Sequence, residues 1–264
     1  LDPAHLIFGN GSNEIIELLM HVFAGSEHSV LYAHPSFPIY RLMALMFGSR
    51  SIEVPCRDFT HDLPAMAAAI APDTRLVFIA NPNNPTGTAV APRAIEEFLR
   101  RVPPELVVVL DEAYYEYLPP DLRFEGIPHL GEKKLILLRT FSKIHGLAGL
   151  RIGYGLASAE MVEILNRVRQ PFNTSSLAQA GALAALDDEA HIRRAIEVNC
   201  LGRVRLEKGF RALGLEYGPS AANFILVRVG RGMEVYRRLL SRGIIVRPMA
   251  GNGLPEWLRI TVGL

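Results

Sequence analysis

Short apolar runs that recur between helix-patterned stretches constrain this chain more than any other feature. They lie at residues 29–32, 76–80, 106–110 and 135–139, and stretches such as residues 91–101 carry helical spacing between them. Buried strands alternating with helices predict an α/β domain built on a mainly parallel sheet. Near the start, Ser12 or Asn13 is placed to cap a helix whose apolar positions are Ile15, Ile16, Leu18, Leu19, Val22 and Phe23 and which ends near Gly25. Beyond Arg151 the helices lengthen, with clear examples at 176–186 and 191–213. Strands at 224–229 and 258–262 then flank a helix at 233–242. The expected organisation is a large α/β domain over residues 1–186 and a smaller C-terminal α+β domain over 187–264, joined by a long helix.

Composition narrows the function classes. With 264 residues, 49% of them hydrophobic and 21% charged, the chain can bury a sizeable core. Its net charge is only +1 and its positive residues are spread along the sequence, which argues against nucleic acid or an anionic membrane as partner. Cys56 and Cys200 have neither disulfide, redox nor metal-site spacing, so no metal is implied and a reducing cytoplasm is the expected home. The longest apolar runs fall well short of the roughly 20 residues a membrane span needs. The first residues enter core structure without a signal-peptide pattern, and both ends read as cut.

Ligands of open parallel sheets bind beyond the carboxyl ends of the strands, so the polar loops there are the ones to read. Asn81-Pro-Asn-Asn-Pro-Thr-Gly87 is a turn whose prolines and glycine restrict the backbone, from which Asn84 can present its amide; a purely structural turn is the competing reading. Asp111, in Asp-Glu-Ala-Tyr114, closes a buried strand, where a carboxylate calls for a cationic partner such as a protonated pyridine nitrogen; a helix-capping aspartate is the alternative. Thr140-Phe-Ser-Lys143, followed by glycines and Arg151, can set a covalent anchor beside a phosphate site. Gly9-Asn-Gly-Ser-Asn13, at a helix start, offers free N–H groups to an anion.

In this order and spacing the loops resemble the fold-type-I aminotransferases that use pyridoxal 5'-phosphate (PLP), and within them the histidinol-phosphate aminotransferase group. GNGSNEIIELL, NPNNPTG, LDEAYYEY, RTFSKIHGLAGLRIGYG and PEWLRITVG carry the likeness, which runs the length of the chain. The resemblance implies that Lys143 holds PLP as a Schiff base and later moves the substrate proton. Asp111 would pair with the ring nitrogen, while Asn84 and Tyr114 hydrogen-bond the ring oxygen. The phosphate would rest among Ser12, Asn13, Thr140, Ser142 and Arg151, with Phe37 stacked on the ring.

For the substrate, the resemblance implies Asn84 and Arg259, the latter pairing with an α-carboxylate, and Arg247 for a phosphate, with Arg228 a weaker candidate. A surface arginine on an edge strand is the plain alternative for Arg259, and Arg247 and Arg228 could instead be structural. The implied reaction is transamination between histidinol phosphate and 2-oxoglutarate in histidine biosynthesis, by a homodimer. Aromatic aminotransferases and threonine-phosphate decarboxylase share the scaffold and remain rivals, and a non-catalytic PLP-binding module is a more distant one. Relatives also carry an N-terminal arm and a C-terminal helix that these residues do not contain.

Overall fold

The computed structural model describes residues 2–263; Leu1 and Leu264, at the ends of the two expected domains, lie outside the described residues. Strand β1 (Leu6–Gly9) leads into helix α1 (Ser12–Phe23), and β2 (Ser29–His34) into α2 (Pro38–Met46). The alternation continues through β3 (Arg50–Pro55), α3 (Leu63–Ala68), β4 (Thr74–Ala80), α4 (Pro92–Arg101) and β5 (Val107–Asp111). Short 3-10 turns then lead to β6 (Leu135–Thr140), β7 (Gly153–Leu156), α5 (Ala159–Val168), α6 (Ser176–Leu186) and the 24-residue α7 (Glu189–Ala212). The remainder is β8 (Phe224–Arg228), α8 (Gly232–Leu240), β9 (Arg247–Pro248) and β10 (Trp257–Thr261).

Local chemistry sets most helix starts. Proline occupies the first turn of α2, α3 and α4, where its missing N–H costs nothing. Asp62, Ser158, Ser175 and Asp188 cap α3, α5, α6 and α7 through side-chain oxygens. Helix α1 departs from the expectation of a Ser12 or Asn13 cap. Its N-cap is Gly11, at φ 75°, and no side chain closes its first turn. A glycine alone adopts that conformation without strain, so the N–H groups beyond it stay available.

Seven strands form one sheet in the order β1-β7-β6-β5-β4-β2-β3. Strands β2 to β6 pair in parallel, and β7 runs antiparallel to both β6 and β1. All the loops that follow β1, β2, β4, β5 and β6 therefore open at one rim, and β7 begins there. Alternation along each strand divides the core. Phe78, Val109 and Leu138 face α1, α2 and α5, whereas Val77, Val108 and Leu137 face α3 and α4. Phe78 is fully buried, a burial that contributes about 1.5–3 kcal/mol.

The second sheet has three antiparallel strands in the order β8-β10-β9, with α7 and α8 packed on it through Phe210, Val235 and Leu239. It meets the large sheet's rim loops directly: Ala221 N–H donates to the Gly87 carbonyl at 2.7 Å, and Trp257 packs edge-on against Phe59. The expected α/β class is thus the observed one. The patterned strands and helices fall within one or two residues of expectation, whereas β1, β3, β7 and β9 were not anticipated. Among the described residues no helix is long and apolar enough to cross a membrane.

Candidate active site

The rim loops surround a cavity of about 260 Å³. Lys143, Asp111, Tyr114, Asn84 and Phe37 line it, and so do Ser12, Asn13, Thr140, Ser142 and Arg151. Every residue proposed from sequence for a cofactor therefore lies on one wall or another of a single space.

Asp111 is the last residue of β5 and points to the α2 face of the sheet, with no α-helix after it to cap. Tyr40 O–H donates to its Oδ2 at 2.7 Å, and the Ala113 N–H to Oδ1 at 3.3 Å. Burial pushes the carboxyl pKa up; the Tyr40 bond, the Ala113 N–H and the nearby Lys143 charge pull it back down. A buried carboxylate with two donors and, among the described residues, no salt bridge is a ready partner for a cationic ring nitrogen. Tyr40 was not among the residues expected. Its signal was its place in PSFPIY, three positions after Phe37 on what becomes the first turn of α2, and its ring is stacked on Phe78.

Lys143 follows β6 in a loop pinned by the Ser142 N–H donating to Thr140 Oγ1 at 3.1 Å. Its amine opens into the cavity, yet enough protein surrounds it to lower its pKa by desolvation, with Arg259 and Arg151 adding repulsion that the Asp111 charge partly offsets. Lowering favours the neutral amine, which is the nucleophilic form. The Lys143 ammonium lies 5.3 Å from the centre of the Tyr114 ring. Tyr114 is buried edge-on against Phe224, and burial raises its phenol to about 12, so it stays a proton donor.

An anion cradle occupies one end. Arg151, itself at φ 58°, directs its guanidinium to Ser142 Oγ at 3.3 Å and to the Asn10 carbonyl at 3.4 Å. The first turn of α1 brings Ser12 and Asn13 beside it without any side-chain cap, so free N–H groups and a guanidinium converge. A side chain at Gly11 would collide with that guanidinium.

At the other end an adjoining cavity of about 320 Å³ shares Phe37, Asn84, Tyr114 and Lys143 and adds Arg247 and Arg259. The two arginines are direct cross-strand partners of β9 and β10. Like charges placed opposite each other repel, and the arrangement calls for an anion between or above them. Arg259 lies on the central strand of its sheet, which overturns the edge-strand alternative for it. Its Nη1 donates to Asn84 Oδ1 at 2.6 Å, its Nε is buried without a partner, and burial and Arg247 lower its pKa. Arg228 lies apart from the cavity, engaged at the surface with Glu216 and Glu256.

Comparison with known proteins agrees with this geometry. The profile of the family described as aminotransferase class I and II matches residues 1–264. A histidinol-phosphate aminotransferase of Ralstonia nicotianae is 52% identical over 99% of this chain and 71% of its own length. One from Cupriavidus pinatubonensis is 52% identical over 98% of this chain and 70% of its own. Among solved structures, the histidinol-phosphate aminotransferase of Sinorhizobium meliloti in complex with PLP superposes with a TM-score of 0.91 at 30% identity, covering 98% of this chain and 72% of that one. An alternating α/β frame, a lysine and a buried aspartate on one cavity and this degree of likeness lead to one conclusion: the chain belongs to the aminotransferase class I and II family, among its histidinol-phosphate aminotransferases.

Proposed function

We propose that this enzyme uses PLP to exchange an amino group between histidinol phosphate and 2-oxoglutarate, the step of histidine biosynthesis in which glutamate gives its amino group to imidazole-acetol phosphate. The observation that carries the reading is a pair of adjoining cavities that share Lys143, Asn84 and Tyr114, one lined by Asp111 and the other by two opposed arginines. The residues present fit the cofactor. Asp111 is a buried carboxylate in need of a cation, and the uncapped first turn of α1 beside Arg151 suits a phosphate. When bound, PLP supplies an aromatic ring that withdraws the electron pair left at the substrate carbon.

Asp111, fixed by Tyr40, keeps the ring nitrogen protonated. Asn84 and Tyr114 would hydrogen-bond the ring oxygen, Phe37 would pack on the ring face, and Ser12, Asn13, Thr140, Ser142 and Arg151 would hold the phosphate. Lys143 would hold the cofactor covalently, and its Nζ would serve as the base and acid that moves the proton at the substrate carbon. Arg259 binds the carboxylate of glutamate as a planar fork, and Arg247 binds the phosphate of the alternate substrate. Residues 187–264 act as the smaller domain that brings both arginines to the rim. The enzyme works as a homodimer in the cytoplasm, a setting in keeping with its free Cys56 and Cys200.

An absorbance spectrum of the PLP-loaded protein tests this. A band near the visible edge is expected, lost on borohydride reduction, missing in Lys143→Ala and bleached by histidinol phosphate. Initial-velocity lines for the two substrates should run parallel. Carbon dioxide released from phosphothreonine, with no response to histidinol phosphate, would overturn the substrate assignment in favour of decarboxylation.

A further inference from the structure

Past the two arginines, the wall of the adjoining cavity is the short connection from β9 to β10. There residues 250–252 make one 3-10 turn that ends at Gly253. Asn252, on this turn, lines that cavity and also a smaller one of about 210 Å³ behind Phe37 and Pro38. Its Nδ2 donates to the Ser36 carbonyl at 3.2 Å, the single hydrogen bond of this side chain among the described residues. A carbonyl can only accept, so the contact fixes which end of the amide is nitrogen and leaves Oδ1 as an acceptor with no donor.

The turn itself is held in place. The Asn252 and Leu254 N–H groups both donate to the Met249 carbonyl, at 2.9 and 3.1 Å. Gly253 lies so close to the His34 ring that a side chain there would come within 2.9 Å of Nε2. Through Ser36 the turn is tied to the loop that presents Phe37, so Asn252 keeps a constant position relative to the cofactor face.

The charges of the cavity decide what this acceptor can serve. Lys143, Arg247 and Arg259 are cations that attract anionic groups. Asn84 Oδ1 already receives a bond from Arg259. Ile39, Leu42 and Met249 supply apolar wall. Asn252 Oδ1 is thus an uncharged acceptor beside an apolar slot, a combination that suits a flat ring with one N–H better than an all-carbon ring. We propose that Asn252 is a specificity-determining residue, whose Oδ1 accepts the N–H of an azole ring at the distal end of the substrate. The inference rests on the amino-alcohol phosphate reading given above and names the residue that reads its ring.

The matched probes are histidinol phosphate and phenylalaninol phosphate, which differ in imidazole against phenyl, offered to the full chain as the PLP-loaded enzyme. The wild type should favour the imidazole compound in kcat/KM. In both Asn252→Ala and Asn252→Leu that preference should shrink by roughly five- to tenfold, the worth of one lost hydrogen bond. An unchanged ratio in either folded variant, whether the two rates fall together or stay level, overturns the inference and leaves the function standing. Failure of the wild type to use either compound overturns the function and the inference with it.

Discussion

Replacing Arg247 by leucine should make the protein more stable and a worse enzyme. Arg247 and Arg259 are directly opposed across β9 and β10, and Arg247 is the exposed member of the pair. Opposed like charges on a sheet cost about 0.2–1 kcal/mol, and solvent screening of Arg247 places this pair toward the lower bound. Leucine removes the repulsion and keeps the aliphatic bulk, while Arg259 retains its bond to Asn84. In a protein of this size about 1 kcal/mol corresponds to roughly 2–4 °C in Tm, so a rise of about 1 °C or less is expected. The same substitution deletes one charge-assisted contact to a substrate anion, worth about 1.5–3 kcal/mol, and should lower kcat/KM for histidinol phosphate roughly 10- to 100-fold. Differential scanning fluorimetry with steady-state kinetics reads both, and added inorganic phosphate should raise the wild-type Tm more than that of the variant. A lower Tm together with unchanged kinetics would refute the view that repulsion is retained here to bind an anion.

Three further outcomes follow from the site and its surroundings. Asp111→Asn should still bind PLP but lose at least about 100-fold in kcat, as expected when a charge that acts on the reacting system is neutralised; a smaller loss in single-turnover absorbance would place Asp111 outside the chemistry. Gly11→Ala forces a left-handed backbone on alanine and drives a methyl group into the Arg151 guanidinium. PLP affinity, followed by fluorescence, should weaken at least tenfold, and backbone strain of about 1–3 kcal/mol should lower the melting temperature of the PLP-free protein by roughly 2–12 °C. His61 is fully buried, and desolvation lowers its pKa from 6.5 to about 4. The unfolded chain takes up its proton first as pH falls, so stability is full above pH 6.5 and declines toward pH 4, by about 3 kcal/mol if this group acts alone. His61→Leu should flatten that decline in urea titrations, and an unaltered pH slope would disprove the assignment.

The frame and its rim loops were legible because their signals are local. Buried central strands such as Leu76 to Ala80 are continuous apolar runs, and the polar residues after them announce a ligand-facing end. Strands β1, β3, β7 and β9 escaped for a different reason. Gly153-Tyr-Gly-Leu156 and Leu6-Ile-Phe-Gly9 are short and glycine-bearing, Arg50–Pro55 is largely exposed and Arg247–Pro248 has only two residues, so none presents a long apolar run. Arg247 and Arg259 could be named from resemblance, but their mutual opposition is a property of strand register and invisible in one dimension. Tyr40 and Asn252 were missed because a tyrosine on an apolar helix and an asparagine in a turn are ordinary until their neighbours are known. The cap of α1 was misjudged because Ser12 and Asn13 are strong capping types, whereas the N-cap position falls on Gly11, which has no side chain to close the turn and leaves its N–H groups free.

The reversal at β7 bears on the order in which the molecule becomes competent. Lys143 and Arg151 lie on a local return between neighbouring strands β6 and β7, close in sequence and quick to close. Gly9 pairs with Gly153 only when the chain's opening strand crosses about 140 residues of sequence to dock beside β7, and docking of that kind is slow. The N-terminal turn of α1 travels with it. Recovery of phosphate affinity during refolding should accordingly lag behind recovery of helix, making anion capture a clock for the last long-range closure.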